Sequence, residues 1–148
     1  MRKWGQRLKD IYQQKWFEKI SVSSKCDYYS VFKTHIYTER YLSGVNIKKF
    51  RIALSRFRCS SHDLQIEKGR YTNTPREERL CKCCNTNVIE DEYHFLLVCP
   101  AFNTIREKYI KEFYFVHPSI EKFSSLLNCS NDRVLQNIAV YIYIKLCC

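Results

Sequence analysis

Apolar side chains return at three- and four-residue intervals over most of this chain, and that period predicts helices. Between residues 2 and 20, Trp4, Leu8, Ile11, Tyr12, Trp16 and Ile20 recur with Lys and Arg between them, the pattern of a basic amphipathic helix. Its stripe is expected to pack on the rest of the chain or on a domain upstream; docking on phosphates or on a membrane surface are the alternatives. The polar run Ser21 to Lys25 is the clearest boundary. From Cys26 to Ile36 apolar residues come in pairs, and helix and strand fit equally. Ile47, Phe50, Leu54 and Phe57 fall on one face of a helix, and His62 to Tyr71 reads as a loop around Gly69. Thr74-Pro75 turns the chain, and Pro100 is placed to start a helix lined by Phe102, Ile105, Tyr109 and Phe113. Pro118 opens a short helix to Leu127, and Asp132 begins the last one, carrying Val134, Leu135, Ile138, Tyr141, Ile142 and Lys145.

These elements predict a mainly α fold, a small helical domain of five or six helices around one core. Residues 1–24 form the basic helix and linker, 25–75 a basic aromatic segment, and 76–148 a knuckle with C-terminal helices; 25–148 is expected to fold as one unit. Few Gly and Pro and many aromatic residues favour a packed chain over a disordered one.

Charge sharpens the picture. The net charge is +10, and it is unevenly placed. Residues 1–58 hold 14 Lys/Arg against 4 Asp/Glu, residues 59–100 hold 5 against 7, and residues 101–148 hold 6 against 4. A basic half beside a near-neutral half suits a polyanion, nucleic acid being the commonest. Lys33, Arg40, Lys48, Lys49, Arg51, Arg56 and Arg58 interleave with Phe32, Tyr37, Tyr41, Phe50 and Phe57. Cations for phosphate beside rings for bases are the two parts of single-strand binding, so these seven are the candidate nucleic-acid contacts. The opposing reading makes the rings core and the charges a solvated face. No apolar stretch reaches the ~18 residues a membrane span needs.

Four of the nine cysteines lie where one histidine completes a pattern. Cys81, Cys84, His94 and Cys99 form C-x2-C-x9-H-x4-C, a spacing that suits a closed tetrahedral site and a structural zinc ion. Asp91 is the expected N-cap of a helix carrying Tyr93 to Val98, and Asp91 or Glu90 the expected partner of the imidazole's second nitrogen. Arg76, Arg79, Lys82 and Arg106 are close enough in sequence to offset three thiolates. Cys83 stands outside the two-residue spacing. Disulfides or inert thiols are the competing explanation, weakened by the absence of a signal peptide and by the odd number of cysteines. His62 is read as neither ligand nor base.

Together with its surroundings this segment resembles a known family. Arg79-Leu80-Cys81-x-x-Cys84, Glu90-Asp91-Glu92-Tyr93-His94-Phe95-Leu96, Cys99-Pro100 and Arg106 are similar to the zinc-binding domain that follows the reverse transcriptase in non-LTR (LINE-type) retrotransposons. Upstream, Glu39-x-Tyr41-Leu42, Arg56-Phe57-Arg58, His62-Asp63-Leu64 and Ile66-Glu67-x-Gly69-Arg70 fit the same pattern. The resemblance covers most of the chain from about Tyr28. It implies Zn2+ on Cys81, Cys84, His94 and Cys99, and a module that contacts template RNA or target DNA beside a reverse transcriptase domain.

Catalytic signatures are lacking. There is no adjacent Asp pair for a polymerase's metal ions, no Gly-rich phosphate loop, no G-x-S-x-G and no H-E-x-x-H. The expectation is a non-catalytic, intracellular chain, nuclear or cytoplasmic, with no small-molecule substrate and no membrane partner. The alternatives are a protein–protein module docking on a polymerase domain, or a retroelement fragment without function of its own. The terminal Cys147-Cys148 is not expected to be prenylated, because the GTPase loop such ends accompany is missing.

Overall fold

The last helix is the one that four of the others assemble on. The computed structural model describes residues 2–146, with side chains from residue 4 onward; Cys147 and Cys148, the terminal pair, lie outside the described residues. In chain order the α-helices are α1 (Arg2–Ser21), α2 (Tyr29–Phe32), α3 (Tyr41–Gly44), α4 (Lys48–Arg58), α5 (Gln65–Tyr71), α6 (Asn103–Tyr109), α7 (Glu112–Phe115), α8 (Ile120–Leu127) and α9 (Asp132–Leu146). Leu135, Ile138, Ala139, Tyr141 and Ile142 bury one side of α9, and α3, α4, α6 and α8 pack around it. The mainly α expectation holds, and among the described residues there is no strand. An isolated antiparallel bridge joins Leu80 to Ile89.

The helices outnumber the five or six expected because α2, α3 and α7 are single turns that hydrophobic periodicity cannot resolve. Phe113 shows the effect. The chain turns extended at Ile110, so Phe113 falls in α7 rather than on the helix begun near Pro100, and it is exposed. The expected loop around Gly69 is instead helix α5, and the glycine is there for space. The Arg79 side chain crosses it so closely that an added Cβ would lie 2.6 Å from Cγ and Cδ. From that position Arg79 donates to the carbonyls of Ile66 at 2.9 Å and Thr74 at 3.0 Å.

A buried charge network holds the segment between α2 and α3. Arg58 is 2% exposed and donates to the Leu127 carbonyl at 2.6 Å and Glu39 Oε2 at 2.9 Å. Its guanidinium lies over the rings of Phe32 and Tyr41, 4.4 and 5.1 Å from their centroids. Lys33 reaches the other Glu39 oxygen at 2.7 Å and donates to the Tyr37 carbonyl. A second buried knot joins the end of α4 to the site. Ser60, held at φ 50°, donates to Glu92 Oε1 at 2.6 Å, and His62 Nε2 lies 2.9 Å from the same oxygen. Burial opposes ionisation of Glu92, but His62 and Ser60 outweigh it and hold the carboxyl below its usual range.

By contrast α1 leaves its stripe open. Trp4 is 73% exposed, Leu8 and Tyr12 are exposed too, and the inward contact comes from half-buried Trp16, edge-on to Tyr29 at 6.4 Å. Among the described residues the expected packing is met only at the end of the stripe, where Trp16 and Ile20 are half-buried, and not at Trp4, Leu8, Ile11 and Tyr12.

Removing Arg58 leaves Glu39 short of a partner inside the protein. Arg58→Ala is expected to cost about 3 kcal/mol of unfolding free energy in a urea titration, more than a surface Lys→Ala control. A loss below about 1 kcal/mol would show that the network is dispensable.

Candidate metal centre

Three short stretches bring the four donors together. Cys81 N–H donates to Val88 O at 2.8 Å and Glu90 N–H to Arg79 O at 2.9 Å, so the chain doubles back through an exposed turn. Asn87, at φ 52°, supplies the left-handed position of that turn, a conformation asparagine tolerates. Cys81 lies at the inner end of this hairpin and Cys84 near its tip.

His94 and Cys99 come from a turn of π-helix, His94–Val98. Its closing bond runs from Cys99 N–H to His94 O at 2.7 Å, across five residues. An α-helix would set residues five apart about 140° around its axis; the wider turn brings them round together. Asp91 starts this segment as expected, accepting the His94 N–H on Oδ1 at 2.8 Å. Tyr28 donates its hydroxyl to the other Asp91 oxygen at 2.8 Å. Burial and the Asp91 carboxylate push the Tyr28 phenol up, keeping it a donor.

The donor atoms Cys81 Sγ, Cys84 Sγ, a His94 ring nitrogen and Cys99 Sγ lie within 4.8 Å of one another, and the four can hold a metal ion. Two edges are tight: Cys81 Sγ to Cys99 Sγ at 3.9 Å and Cys84 Sγ to His94 Nε2 at 3.4 Å. Cys81, His94 and Cys99 are buried and Cys84 is half-exposed. Burial pushes the Cys81 and Cys99 thiols up. For Cys84 burial also opposes ionisation, but the Thr86 hydroxyl and backbone, with Cys81 and His94, outweigh it and lower the thiol to about 6. One donor is therefore ready for a cation at neutral pH, and two need the cation to release their protons.

The surroundings differ from expectation in two respects. His94 Nδ1 is buried without a partner. Asp91 is occupied by the backbone and by Tyr28, while Glu90 accepts the Gln65 N–H on Oε2 at 2.8 Å. Neither carboxylate serves the imidazole. Of the four basic residues expected to balance the thiolates, Arg106 reaches the site. It is 1% exposed and donates to the carbonyls of Cys99 at 2.7 Å and Leu96 at 2.9 Å and to Asn103 Oδ1 at 2.6 Å. Arg76 pairs with Asp27, Arg79 serves α5, and Lys82 is exposed on the turn. Tyr28 went unforeseen because it lies 63 residues from its partner, beyond any local spacing signal.

The seven candidate nucleic-acid contacts divide. Lys33 and Arg58 are buried in the Glu39 network, which corrects their reading as phosphate contacts, since a cation buried on a carboxylate has nothing left for a ligand. Arg51 donates to the Val45 carbonyl at 3.0 Å, and Arg40 makes a two-bond pair with Asp132 at 2.9 and 3.0 Å. Lys48, Lys49 and Arg56 are exposed along α4, with Lys49 Nζ 4.9 Å from the Tyr143 ring centroid. Phe32, Tyr41 and Phe57 are core, closed to base stacking. No protein-family model matches this chain, and no match was found among curated proteins or solved structures.

A donor set that gains protons when empty should lose stability with its ion. Metal added to the reduced, chelated protein is expected to raise the melting temperature of the wild type by several degrees. In His94→Ala the same addition should leave it unmoved. Equal rises in both proteins would mean that the cluster does not bind.

Proposed function

We propose that this chain is a zinc-stabilised, non-catalytic nucleic-acid-binding module of the kind that accompanies the reverse transcriptase of non-LTR retrotransposons. The closure of Cys81, Cys84, His94 and Cys99 on one point carries the reading. A tetrahedral ion bonded to sulfur at ~2.3 Å and nitrogen at ~2.0 Å sets S···S edges of about 3.8 Å and S···N edges of about 3.5 Å. The 3.9 and 3.4 Å edges fit that frame. Three thiolates and an imidazole favour zinc over harder cations, and four protein donors leave no position for a reacting water. The family reading rests on the residue pattern. Its anchors Arg58, Glu92 and Arg106, which are buried, and Arg79, which is half-buried, each have a role within the fold that supports it.

In this reading the zinc frame holds the helices rigid and the basic half neutralises phosphates of RNA or DNA. Lys48, Lys49 and Arg56 on α4 are the exposed members of the seven outside the described ion pairs, and Arg7, Lys9, Lys15 and Lys19 on α1 are exposed beside them. A second reading, docking on a polymerase domain, is favoured by one observation, the open stripe of Trp4, Leu8 and Tyr12 on α1.

Two measurements test the proposal. Elemental analysis of protein purified without added metal should find zinc, absent from His94→Ala. Single-stranded RNA affinity should fall steeply between 50 and 200 mM salt, and Lys48→Glu with Lys49→Glu and Arg56→Glu should lower it by roughly tenfold or more and flatten the salt slope. Affinity independent of salt and of the triple substitution, with retention of a polymerase domain, would favour docking instead.

A further inference from the structure

Cys83 is left out of the four-donor cluster, yet it is not left alone. With Cys81 and Glu90 it forms a second group of donors within 4.8 Å of one another. Glu90 is nine-tenths buried, and its two oxygens are used differently. Oε2 accepts the Gln65 N–H at 2.8 Å. Oε1 faces two sulfur atoms, Cys81 Sγ at 3.5 Å and Cys83 Sγ at 3.8 Å, with no stronger donor. A buried carboxylate oxygen aimed between two thiols is an arrangement that a cation completes.

We propose that Cys81, Cys83 and Glu90 form a second metal site, which takes a thiophilic divalent cation and shares the Cys81 sulfur with the first. The distances suit it. A tetrahedral ion bonded to sulfur at ~2.3 Å and a carboxylate oxygen at ~2.1 Å sets an S···O edge of about 3.6 Å, against the 3.5 and 3.8 Å found. Charge suits it too. One divalent ion on three thiolates leaves a single excess negative charge, and the Glu90 carboxylate beside Cys81 adds another in a buried place. A second divalent ion, even with the Cys83 thiolate added, halves that excess. The step is an exchange: the cation binds and the protons of the thiols leave to solvent, with no change of oxidation state.

Cys83 is exposed and opens on a cavity of about 210 Å³, which also borders Asp63, Lys68 and Lys82. The fourth position therefore faces solvent, unlike the first site, whose four positions are all protein. The two lysines oppose a cation there, so this site fills second. The inference rests on the first ion being held by Cys81, Cys84, His94 and Cys99, and the test keeps the two apart.

The reduced, chelated full-length chain is titrated with 113Cd2+, a thiophilic probe, and the bound ions are counted after equilibrium dialysis. Wild type should retain two, and their 113Cd resonances should split each other through the shared sulfur. Cys83→Ser and Glu90→Gln should each retain one, with the first resonance kept and the wild-type helical spectrum unchanged. One ion in the wild type and one in Cys83→Ser would overturn the second site and leave the first standing. Two ions in every variant, without mutual splitting, would assign the extra cadmium to other thiols and likewise overturn it. No ion retained by the wild type would remove the first site as well.

Discussion

A single buried guanidinium fixes the place where the ligands meet. Arg106 has no carboxylate partner among its hydrogen bonds; it is satisfied by the carbonyls at the end of the π-turn and by Asn103. Those carbonyls are the groups a helix end leaves without partners, and burying them bare would be costly. Tyr141 of α9 adds its hydroxyl to the Phe95 carbonyl at 3.0 Å. The turn bearing His94 and Cys99 is thus gripped from α6 and α9 and belongs to the core, with Phe95 and Leu96 packed inside it. The positive charge lies one peptide away from a thiol that a metal would make negative. Fold and site are stabilised by the same residue.

Local patterns foretold the parts whose cause is local. The α4 and α9 stripes, the Asp91 cap and the ligand spacing all arise from residues a few positions apart, where periodicity and capping rules apply. The α5 helix was hidden because its glycine signals a break, and the reason for the glycine is a side chain ten residues on. Lys33 and Arg58 misled for a related cause. Composition counts a cation wherever it stands, whereas Glu39, the Leu127 carbonyl and two rings decide that Arg58 turns inward. The open stripe on α1 is another case: the helix was legible in the sequence, but what covers it depends on surfaces a linear pattern does not describe.

Basic charge is therefore put to two uses. Part of it is architecture, in which buried Arg58 and Arg106 and half-buried Arg79 satisfy carbonyls and carboxylates that the short helices leave unpaired. Lys48, Lys49 and Arg56 of α4 and Arg7, Lys9, Lys15 and Lys19 of α1 lie outside instead, exposed to solvent and to polyanions. A sum over the sequence joins the two, and a chain built of single-turn helices has more loose ends for arginines to tie than one built of long helices.

The π-turn also makes one interval of the motif inelastic. Deleting a residue between His94 and Cys99 would turn the closing bond into an ordinary α-helical one. The two donors, then four apart, would still share a face, about 40° around the axis, but the chain beyond them would be rotated and the carbonyls withdrawn from Arg106. The interval between Cys84 and His94 is of another kind, because it runs over an exposed turn whose ends are pinned by the Leu80–Ile89 bridge. Length added at Asn85 to Asn87 would loop into solvent. Drift in such a lineage would then leave the two intervals unequal, with H-x4-C constant and the gap before it free to grow.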